Sequence, residues 1–117
     1  MIQEQKWHDE TRLLIVDREG HGSVQASIPT SGIVRGRICA EAYIFCLWVD
    51  VPFRNQGVGR HLIDTVIKEL KSRGLRSVSL EYDSRDSLPR VLKWYKKTLG
   101  FTPARTEDTL TLLVKQI

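Results

Sequence analysis

The sequence predicts a mixed α/β fold in a single domain over residues 1–117. The chain has 117 residues, which is a usual size for one domain and enough to bury an ordinary hydrophobic core. Its first half carries strand patterns separated by turn residues, whereas its second half alternates between helix and strand patterns. No internal repeat, low-complexity segment or linker interrupts it.

The first half predicts a series of strands. The apolar run of TRLLIVDREG ends in an acidic-glycine turn, and HGSVQASIPTSG alternates before a Pro-Thr-Ser-Gly breaker. GIVRGRICAEAYIFCLWVD, rich in β-branched and aromatic residues, predicts one short strand and then a long strand that is buried on both faces and ends near Val49. Cys39 and Cys46 match no zinc or redox spacing, so we expect reduced core residues.

The second half predicts two helices between strands. Apolar residues recur at helical spacing from Val58 to Leu70, basic residues follow in the last turn, and Gly74 ends the helix. LRSVSLEY reads as a strand, and Pro89 opens a second helix that runs through Trp94 and Tyr95. LGFTPA ends that helix, and TLTLLVKQI predicts a closing strand.

Composition limits the classes of function. The net charge is +4 and the pI about 9.3, but the 18 basic residues are spread along the chain and interleaved with acids, which disfavours a nucleic-acid surface. The N-terminus does not resemble a signal peptide, and the longest apolar run is too short to span a bilayer, so we expect a cytoplasmic protein without membrane contact. The three histidines are dispersed, so no metal is implied.

A glycine pair marks the junction between the long strand and the first helix. In VDVPFRNQGVGRHLI, residues 49–63, Gly57 and Gly59 lie at the first turn of the helix, where free N–H groups and the helix dipole favour an anion. Arg54 and Arg60 add positive charge. The pair therefore fits a pyrophosphate site, or equally a tight turn with close helix packing at Gly59. The spacing matches neither a Rossmann fingerprint nor a Walker A loop.

These residues carry a family resemblance. LWVDVPFRNQGVGRHLIDTVIKELKSRG, with its R-x-x-G-x-G turn, resembles the acetyl-CoA-binding core of the GNAT superfamily of N-acyltransferases. The segments SVSLEYDSRDS, WYKKTLGF and TLTLLVKQI resemble that family's later strands and its tyrosine-bearing helix before a Gly-Phe turn. The resemblance covers about residues 40 to 117 and implies a central mixed sheet whose cofactor helix follows the glycine turn.

The resemblance also implies a cofactor site. Acetyl-CoA would lie where two parallel strands splay apart, its pyrophosphate on backbone amides of the glycine turn and its pantetheine arm along the strand before it. An acceptor amine would attack the thioester directly. The residues to which the resemblance assigns cofactor contact are Leu47, Trp48, Val49, Arg54, Asn55, Gln56, Gly57, Val58, Gly59, Arg60 and Asp86.

Two residues are candidates for proton transfer. The resemblance makes Glu41, upstream on the long strand, the candidate base; an exposed or edge carboxylate is the other interpretation of this residue. The resemblance also makes Tyr95 the candidate acid for the departing thiolate; a core aromatic beside Trp94 is the alternative. The family's tyrosine usually lies four residues before the glycine of Gly-Phe, whereas Tyr95 lies five before Gly100. An inserted residue such as Thr98, absorbed as a helix bulge or loop, would restore the geometry.

The N-terminal part departs from the family, which normally places one or two helices between its first two strands. Here only about fifty residues precede the motif, and they read almost entirely as strands and turns. We therefore expect an open acceptor cleft, completed by a second copy in a homodimer or used on a protein or peptide amine; an amine-bearing small molecule is the other acceptor. Two alternatives to the enzyme stay open, a non-catalytic acyl-CoA-binding or sensing protein and a small basic nucleic-acid-binding domain.

Overall fold

The computed structural model describes residues 1–30 and 40–117, and its strands form one sheet. The strands are β1 Ile2–Lys6, β2 Glu10–Val16, β3 Gly22–Pro29, β4 Ala42–Val49, β5 Ser77–Asp83, β6 Thr102–Glu107 and β7 Leu110–Gln116. Their order in the sheet is β1-β2-β3-β4-β5-β7-β6. The β4–β5 pair is parallel and the other pairs in this sheet are antiparallel, so the predicted mixed α/β fold is confirmed.

Both described helices pack on the same face of this sheet. Helix α1 spans Val58–Ser72, and α2 spans Pro89–Lys93 and continues as a π-helical turn over Trp94–Thr98. The buried apolar side chains that join sheet and α1 in one cluster are Leu13, Ile15, Val24, Ala26, Ala42, Ile44, Leu62, Ile63, Val66, Leu70, Val78, Leu80, Tyr82 and Leu113. The second helix adds partly buried residues to the same cluster. No described helix lies on the opposite face, which we call the outer face and which carries Arg12, Leu14, Gln25 and Phe45.

Helix α1 has the boundaries that the sequence predicts. Its apolar stripe is buried against the sheet, and its carboxyl end closes with Gly74 in a left-handed conformation, φ +81°. Leu70 O accepts hydrogen bonds from the N–H groups of Arg73 and Leu75, which satisfies a carbonyl that the end of a helix would otherwise leave unpaired.

Strands β4 and β5 stay together over only a short distance. They pair at Ala42 with Val78 and at Tyr43 with Ser79, and the pairing ends there. Strand β5 instead pairs with β7 along its whole length. A cleft therefore opens between the carboxyl-terminal parts of β4 and β5, at the edge of the sheet where α1 begins.

A β-bulge changes the direction of β4 beyond this point. Gln25 pairs with Phe45 and Ser23 with Trp48, so β4 carries one residue more than β3 over this interval. Cys46 has a positive φ of 53° and is exposed. The prediction that the whole of β4 is buried on both faces, with Cys46 in the core, is therefore wrong, because the bulge turns this part of the strand outward.

Two strands, β1 and β6, are not anticipated by the sequence pattern. Every residue of both is exposed, and they form the two edges of the sheet. Cys39 and the short strand expected before it lie within residues 31–39, outside the described residues.

Candidate functional site

The glycine-rich stretch forms the turn that leads from β4 into α1. Asp50 leaves the sheet with its N–H donating to His21 O at 2.8 Å, and a single 3-10 turn follows over Val51–Phe53. Asn55 and Gly57 then adopt positive φ values of 63° and 85°. These two left-handed residues reverse the chain so that α1 starts immediately beside the end of β4.

The first turn of α1 presents unpaired backbone donors. Gly57 is the N-cap and provides no side chain to cap the helix, and His61 N–H is the donor that bonds to Gly57 O, at 3.0 Å. The amides of Val58, Gly59 and Arg60 precede this bond and have no intrahelical acceptor. Because they lie at the positive end of the helix dipole, they form a site suited to an anion such as a pyrophosphate.

A side chain would meet different obstacles at the two glycines. Gly57 requires its conformation, since its φ is +85° while a Cβ placed there would have open space around it. A Cβ on Gly59 would lie 3.4 Å from Cη2 of Trp94 and 3.6 Å from Cγ2 of Val49, which are ordinary van der Waals contacts. Both observations concern the interpretation as a tight turn with close packing, in which Gly57 shapes the turn and Gly59 lies next to the second helix.

Arg54 and Arg60 lie on either side of these amides. The Arg54 side chain folds back on β4, with its Nε donating to Val49 O at 2.8 Å and its guanidinium 4.7 Å from the centre of the Trp48 ring. Trp48 is 55% exposed, so its side chain is not a core residue. Arg60 is exposed, and its Nε lies 3.9 Å from Oδ2 of Asp64. The turn therefore carries two exposed cations beside the free amides, and Asn55 and Gln56 are exposed between them.

Tyr95 is held by the π-helical turn, which fulfils the prediction that the extra residue is absorbed as a helix bulge. Leu99 N–H donates to Trp94 O at 3.1 Å, five residues back, and Phe101 N–H donates to Tyr95 O at 2.9 Å. Burial raises the pKa of the Tyr95 phenol above its ordinary value, and nearby Tyr43 adds to the rise. The side chain thus lies close to Tyr43, the last β4 residue that pairs with β5, and stays protonated at neutral pH.

Glu41 lies at the other end of β4 from the glycine turn. Its Oε1 accepts a hydrogen bond from Arg76 N–H at 2.7 Å, and its own N–H donates to Ser77 Oγ at 3.0 Å. The residue joins the starts of β4 and β5, where the two strands are still paired. The structure therefore does not bring Glu41 together with the free amides of α1.

The acidic residues that follow β5 form a local network. Hydrogen bonds from Arg85 hold the pKa of Asp83 well below its usual range, and those from the Arg85 side chain have a larger effect than the one from its backbone. Asp86 is exposed and its N–H donates to Asp83 O at 3.1 Å. This loop lies at the carboxyl end of β5, on the far side of the cleft from β4.

One contact at the site has no signal in the sequence. The rings of His21 and Phe53 are stacked, with centroids 3.4 Å apart and planes inclined by 4°. Together with the hydrogen bond from Asp50 to His21 O, the stack ties the β2–β3 turn to the 3-10 turn before the glycines. It brings together residues 32 positions apart in the chain, so no local pattern could have indicated it.

Some of the described basic side chains are paired with acids. Arg73 contacts Glu4 and Glu69, and Arg105 contacts Glu107. Pairing makes these particular cations less available to nucleic acid. Among the described residues, no group of three or more potential ligands is placed to hold a metal ion, and no helix has both the length and the apolar character needed to cross a membrane.

Comparison with known proteins places the chain in a family. The model of the acetyltransferase (GNAT) family matches residues 1–101, so the match begins earlier than the resemblance noted in the sequence and stops before β6. Mycothiol acetyltransferase of Beutenbergia cavernae is 31% identical over 97 residues, which are 83% of this chain and 30% of that protein. The chain thus spans less than a third of the length of this relative.

Solved structures of similar fold include two acetyltransferases. The ribosomal-protein-S18-alanine N-acetyltransferase of Escherichia coli superposes with a TM-score of 0.64 at 22% identity, covering 96% of this chain and 72% of that one. NAA60 of Arabidopsis thaliana, solved in complex with acetyl-CoA, gives a TM-score of 0.65 at 21% identity, covering 95% and 78%. These likenesses concern the fold, and the family model covers most of the sequence. The chain therefore belongs to the GNAT family of acetyltransferases.

Proposed function

We propose that this protein is an N-acetyltransferase that transfers an acetyl group from acetyl-CoA to a primary amine. The observation that carries the proposal is the set of free amides from Val58 to Arg60, which lie at the start of α1, next to the end of β4 where the cleft opens. Family membership supports it, as does the acetyl-CoA complex of the structural neighbour from Arabidopsis thaliana.

The cofactor would be held mainly by backbone. The amides from Gln56 to Arg60 would bind the pyrophosphate, with the charges of Arg54 and Arg60 on either side. The backbone of Leu47–Val49 borders the open side of the cleft and would pair with the pantetheine arm, although Val49 O is already used by Arg54. Asn55 and Asp86, exposed on the two sides of the cleft, would contact the outer part of the cofactor.

When bound, acetyl-CoA supplies an acetyl thioester whose carbonyl carbon an amine can attack. The amine nitrogen forms the new C–N bond as the C–S bond breaks, and the amine proton passes to water in the cleft. The Tyr95 hydroxyl gives its proton to the departing thiolate and regains one from solvent. Tyr95 suits this role because a phenol whose pKa is about 10 or higher is protonated at neutral pH. Water is preferred to Glu41 as the base, since that carboxylate is hydrogen-bonded to Arg76 N–H.

Two variants with similar local strain test the cofactor site. Gly57 and Gly74 have φ values of +85° and +81°, and a Cβ on either would meet open space, but they lie at opposite ends of α1. In calorimetric titrations with CoA, Gly57→Val should weaken binding at least about tenfold, whereas Gly74→Val should keep the affinity of the wild-type protein. Unchanged affinity in a folded Gly57→Val protein would contradict the proposed site.

Transfer itself is tested by following thiol release. Wild-type protein with acetyl-CoA and a panel of primary amines should release free CoA thiol in proportion to the amine acetylated. Binding of CoA without release for any amine would identify the protein as a non-catalytic acyl-CoA-binding or sensing protein. Sedimentation of the same preparation shows whether a homodimer forms, and a strict monomer would exclude a cleft completed by a second copy.

A further inference from the structure

The outer face of the sheet contains a polar cavity beside the proposed cleft. It has a volume of about 170 Å³ and is lined by Gln3 and Gln5 of β1, Arg12 and Leu14 of β2, and Gln25 of β3. Four of these five side chains are polar, three of them primary amides that both donate and accept hydrogen bonds. The lining is therefore suited to a polar ligand rather than to an apolar one.

Arg12 is fixed in this cavity by its neighbours. Its guanidinium contacts two rings, with Cζ 4.8 Å from the centre of Trp7 and 5.3 Å from that of Phe45. Glu10 Oε1 accepts from Nη2 at 2.7 Å, and the other oxygen of Glu10 accepts from the Ser27 hydroxyl. Stacking and pairing together hold the guanidinium plane in one orientation, which favours recognition of a planar anion.

The described chain does not use all the donors of Arg12. Its Nε is buried and, within residues 1–30 and 40–117, has no hydrogen-bond partner. Because Nε exposes almost no surface, a ligand in the cavity would not reach it without a rearrangement. Glu10 accounts for one terminal nitrogen, so the terminal nitrogens retain hydrogen-bonding capacity that an oxygen-bearing ligand would use.

The cavity and the cleft are connected along β4. Gln25 pairs directly with Phe45, and the Phe45 ring stacks on that of Tyr43 with centroids 5.5 Å apart. Tyr43 is the last residue of β4 that pairs with β5, and it is the neighbour that helps to raise the pKa of Tyr95. A ligand in the cavity thus lies one strand away from the point where β4 and β5 part, with the rings of Phe45 and Tyr43 in between.

We propose that this cavity binds the acceptor, and that the acceptor carries a carboxylate separated from its reactive amine by a chain of several atoms. This inference rests on the proposed acetyl transfer. The separation follows from the sheet, because the Arg12 guanidinium is 5.3 Å from the centre of the Phe45 ring of β4, and the cleft lies on the other side of that strand. The carboxylate contacts Arg12 and the amides of the cavity, while the amine reaches the open edge of β4. Arg12 is then a specificity-determining residue.

A series of acceptors of increasing length measures this distance. We compare γ-aminobutyrate, ε-aminocaproate and ω-aminooctanoate with the alkylamines of matching chain length, which lack the carboxylate. The ratio of kcat/KM between each acid and its alkylamine should rise with length, to about 10- to 100-fold for the longer acids, as expected for a charged hydrogen bond. A ratio of one or below at every length would overturn the proposal. The experiment needs only the wild-type protein.

Variants then assign the preference to Arg12. Arg12→Lys keeps the charge but loses the planar fork, so it should reduce the ratio about tenfold or more. Gln25→Leu removes a cavity amide while keeping Arg12, and it should also reduce the ratio, which covers the case that Arg12→Lys does not fold. Arg105→Ala, on the edge strand β6, should leave the ratio unchanged. A ratio that survives both cavity substitutions would overturn the assignment.

A peptide substrate distinguishes the two sources of an acceptor that carries both an amine and a carboxylate, namely a free amino acid and a peptide that ends in lysine. A short peptide that ends in lysine presents an amine and a carboxylate much as a free amino acid does, and its C-terminal amide removes the charge. Acetylation of the free acid in preference to the amide supports the proposal, and its rate against that of ε-aminocaproate shows which source is used. If CoA binds and alkylamines are acetylated without any carboxylate preference, this inference fails and the proposed function stands; if CoA does not bind, the proposed function fails.

Discussion

Gly59 of α1 lies against the ring of Trp94, which follows the second helix. A Cβ at residue 59 would be 3.4 Å from Cη2 and 3.8 Å from Cζ2 of that ring. These distances are ordinary van der Waals contacts, so a methyl group fits at this position and a larger side chain would extend toward the ring. Gly59 therefore lies where the start of α1 packs against the tyrosine-bearing helix.

Substitution at Gly59 should show a sharp dependence on size. Gly59→Ala should change the free energy of unfolding by no more than about 1 kcal/mol, since the methyl group fits and alanine favours a helix. Gly59→Leu should cost about 1–3 kcal/mol, because it displaces Trp94. Denaturant unfolding measures both. In a Trp94→Ala background, Gly59→Leu should lower the free energy of unfolding by less than it does in the wild-type background. Equal losses in the two backgrounds would show that the Trp94 ring does not limit the space.

Tyr95→Phe tests the proposed acid without changing the packing of the ring. It should lower kcat by about 10²-fold or more while leaving the affinity for CoA near that of the wild-type protein. Because the pKa of Tyr95 is raised, the hydroxyl should stay protonated beyond pH 10, so its ionisation should not limit the rate below that pH. The variant Trp94→Phe provides a matched control for the aromatic cluster. A wild-type rate in Tyr95→Phe would assign the tyrosine to the core alone.

The raised pKa of Tyr95 also has a consequence for stability. A group whose pKa is higher in the folded protein favours folding while it is protonated, so its contribution is complete below the unfolded value, about 10, and is lost as the pH rises through the folded value. Thermal unfolding at alkaline pH should therefore show a steeper loss of Tm in the wild-type protein than in Tyr95→Phe. Identical slopes would contradict this.

The elements that the sequence predicts are those with a buried face. Helix α1 and strands β2, β3, β5 and β7 each carry apolar residues that pack in the core, and their periods follow from that burial. The edge strands β1 and β6 bury no residue, so their sequences show no alternation, and only pairing with a neighbouring strand makes them strands.

The candidate site divides in the same way between local and distant features. The glycine turn and the π-helical turn are encoded within a few residues, by Gly57 and by the spacing of Tyr95 from Gly100. The positions of Glu41 and Arg12 depend on partners distant in the chain. Strand alternation could place Arg12 on a face, and Trp7 lies only five residues before it, but the Phe45 ring belongs to β4, which only the folded sheet brings near Arg12.

The docking of edge strand β1 should depend on one ion pair. Glu4 of β1 contacts Arg73 at the carboxyl end of α1, and this hydrogen bond lowers the pKa of Glu4. Its contribution is present above the unfolded pKa, about 4.3, and is lost as the pH falls through the lower folded value. Arg73→Gln should speed hydrogen exchange in Ile2–Lys6 at neutral pH. Lys6→Gln removes the other partner of Glu4 without changing a residue of α1, so it should change the rate of hydrogen exchange little.

The stacked rings of His21 and Phe53 should affect cofactor affinity from outside the site. Aromatic pairs contribute about 0.5–1.5 kcal/mol, so if the stack holds the 3-10 turn, Phe53→Ala should weaken CoA binding about 2- to 10-fold. His21→Phe keeps a ring and should bind like the wild-type protein, whereas His21→Ala should resemble Phe53→Ala. Val51→Ala is the matched control, since it lies in the same turn with a side chain 67% exposed. Equal loss in Val51→Ala, measured by calorimetry, would show that the whole turn is sensitive to truncation and that the stack has no particular role.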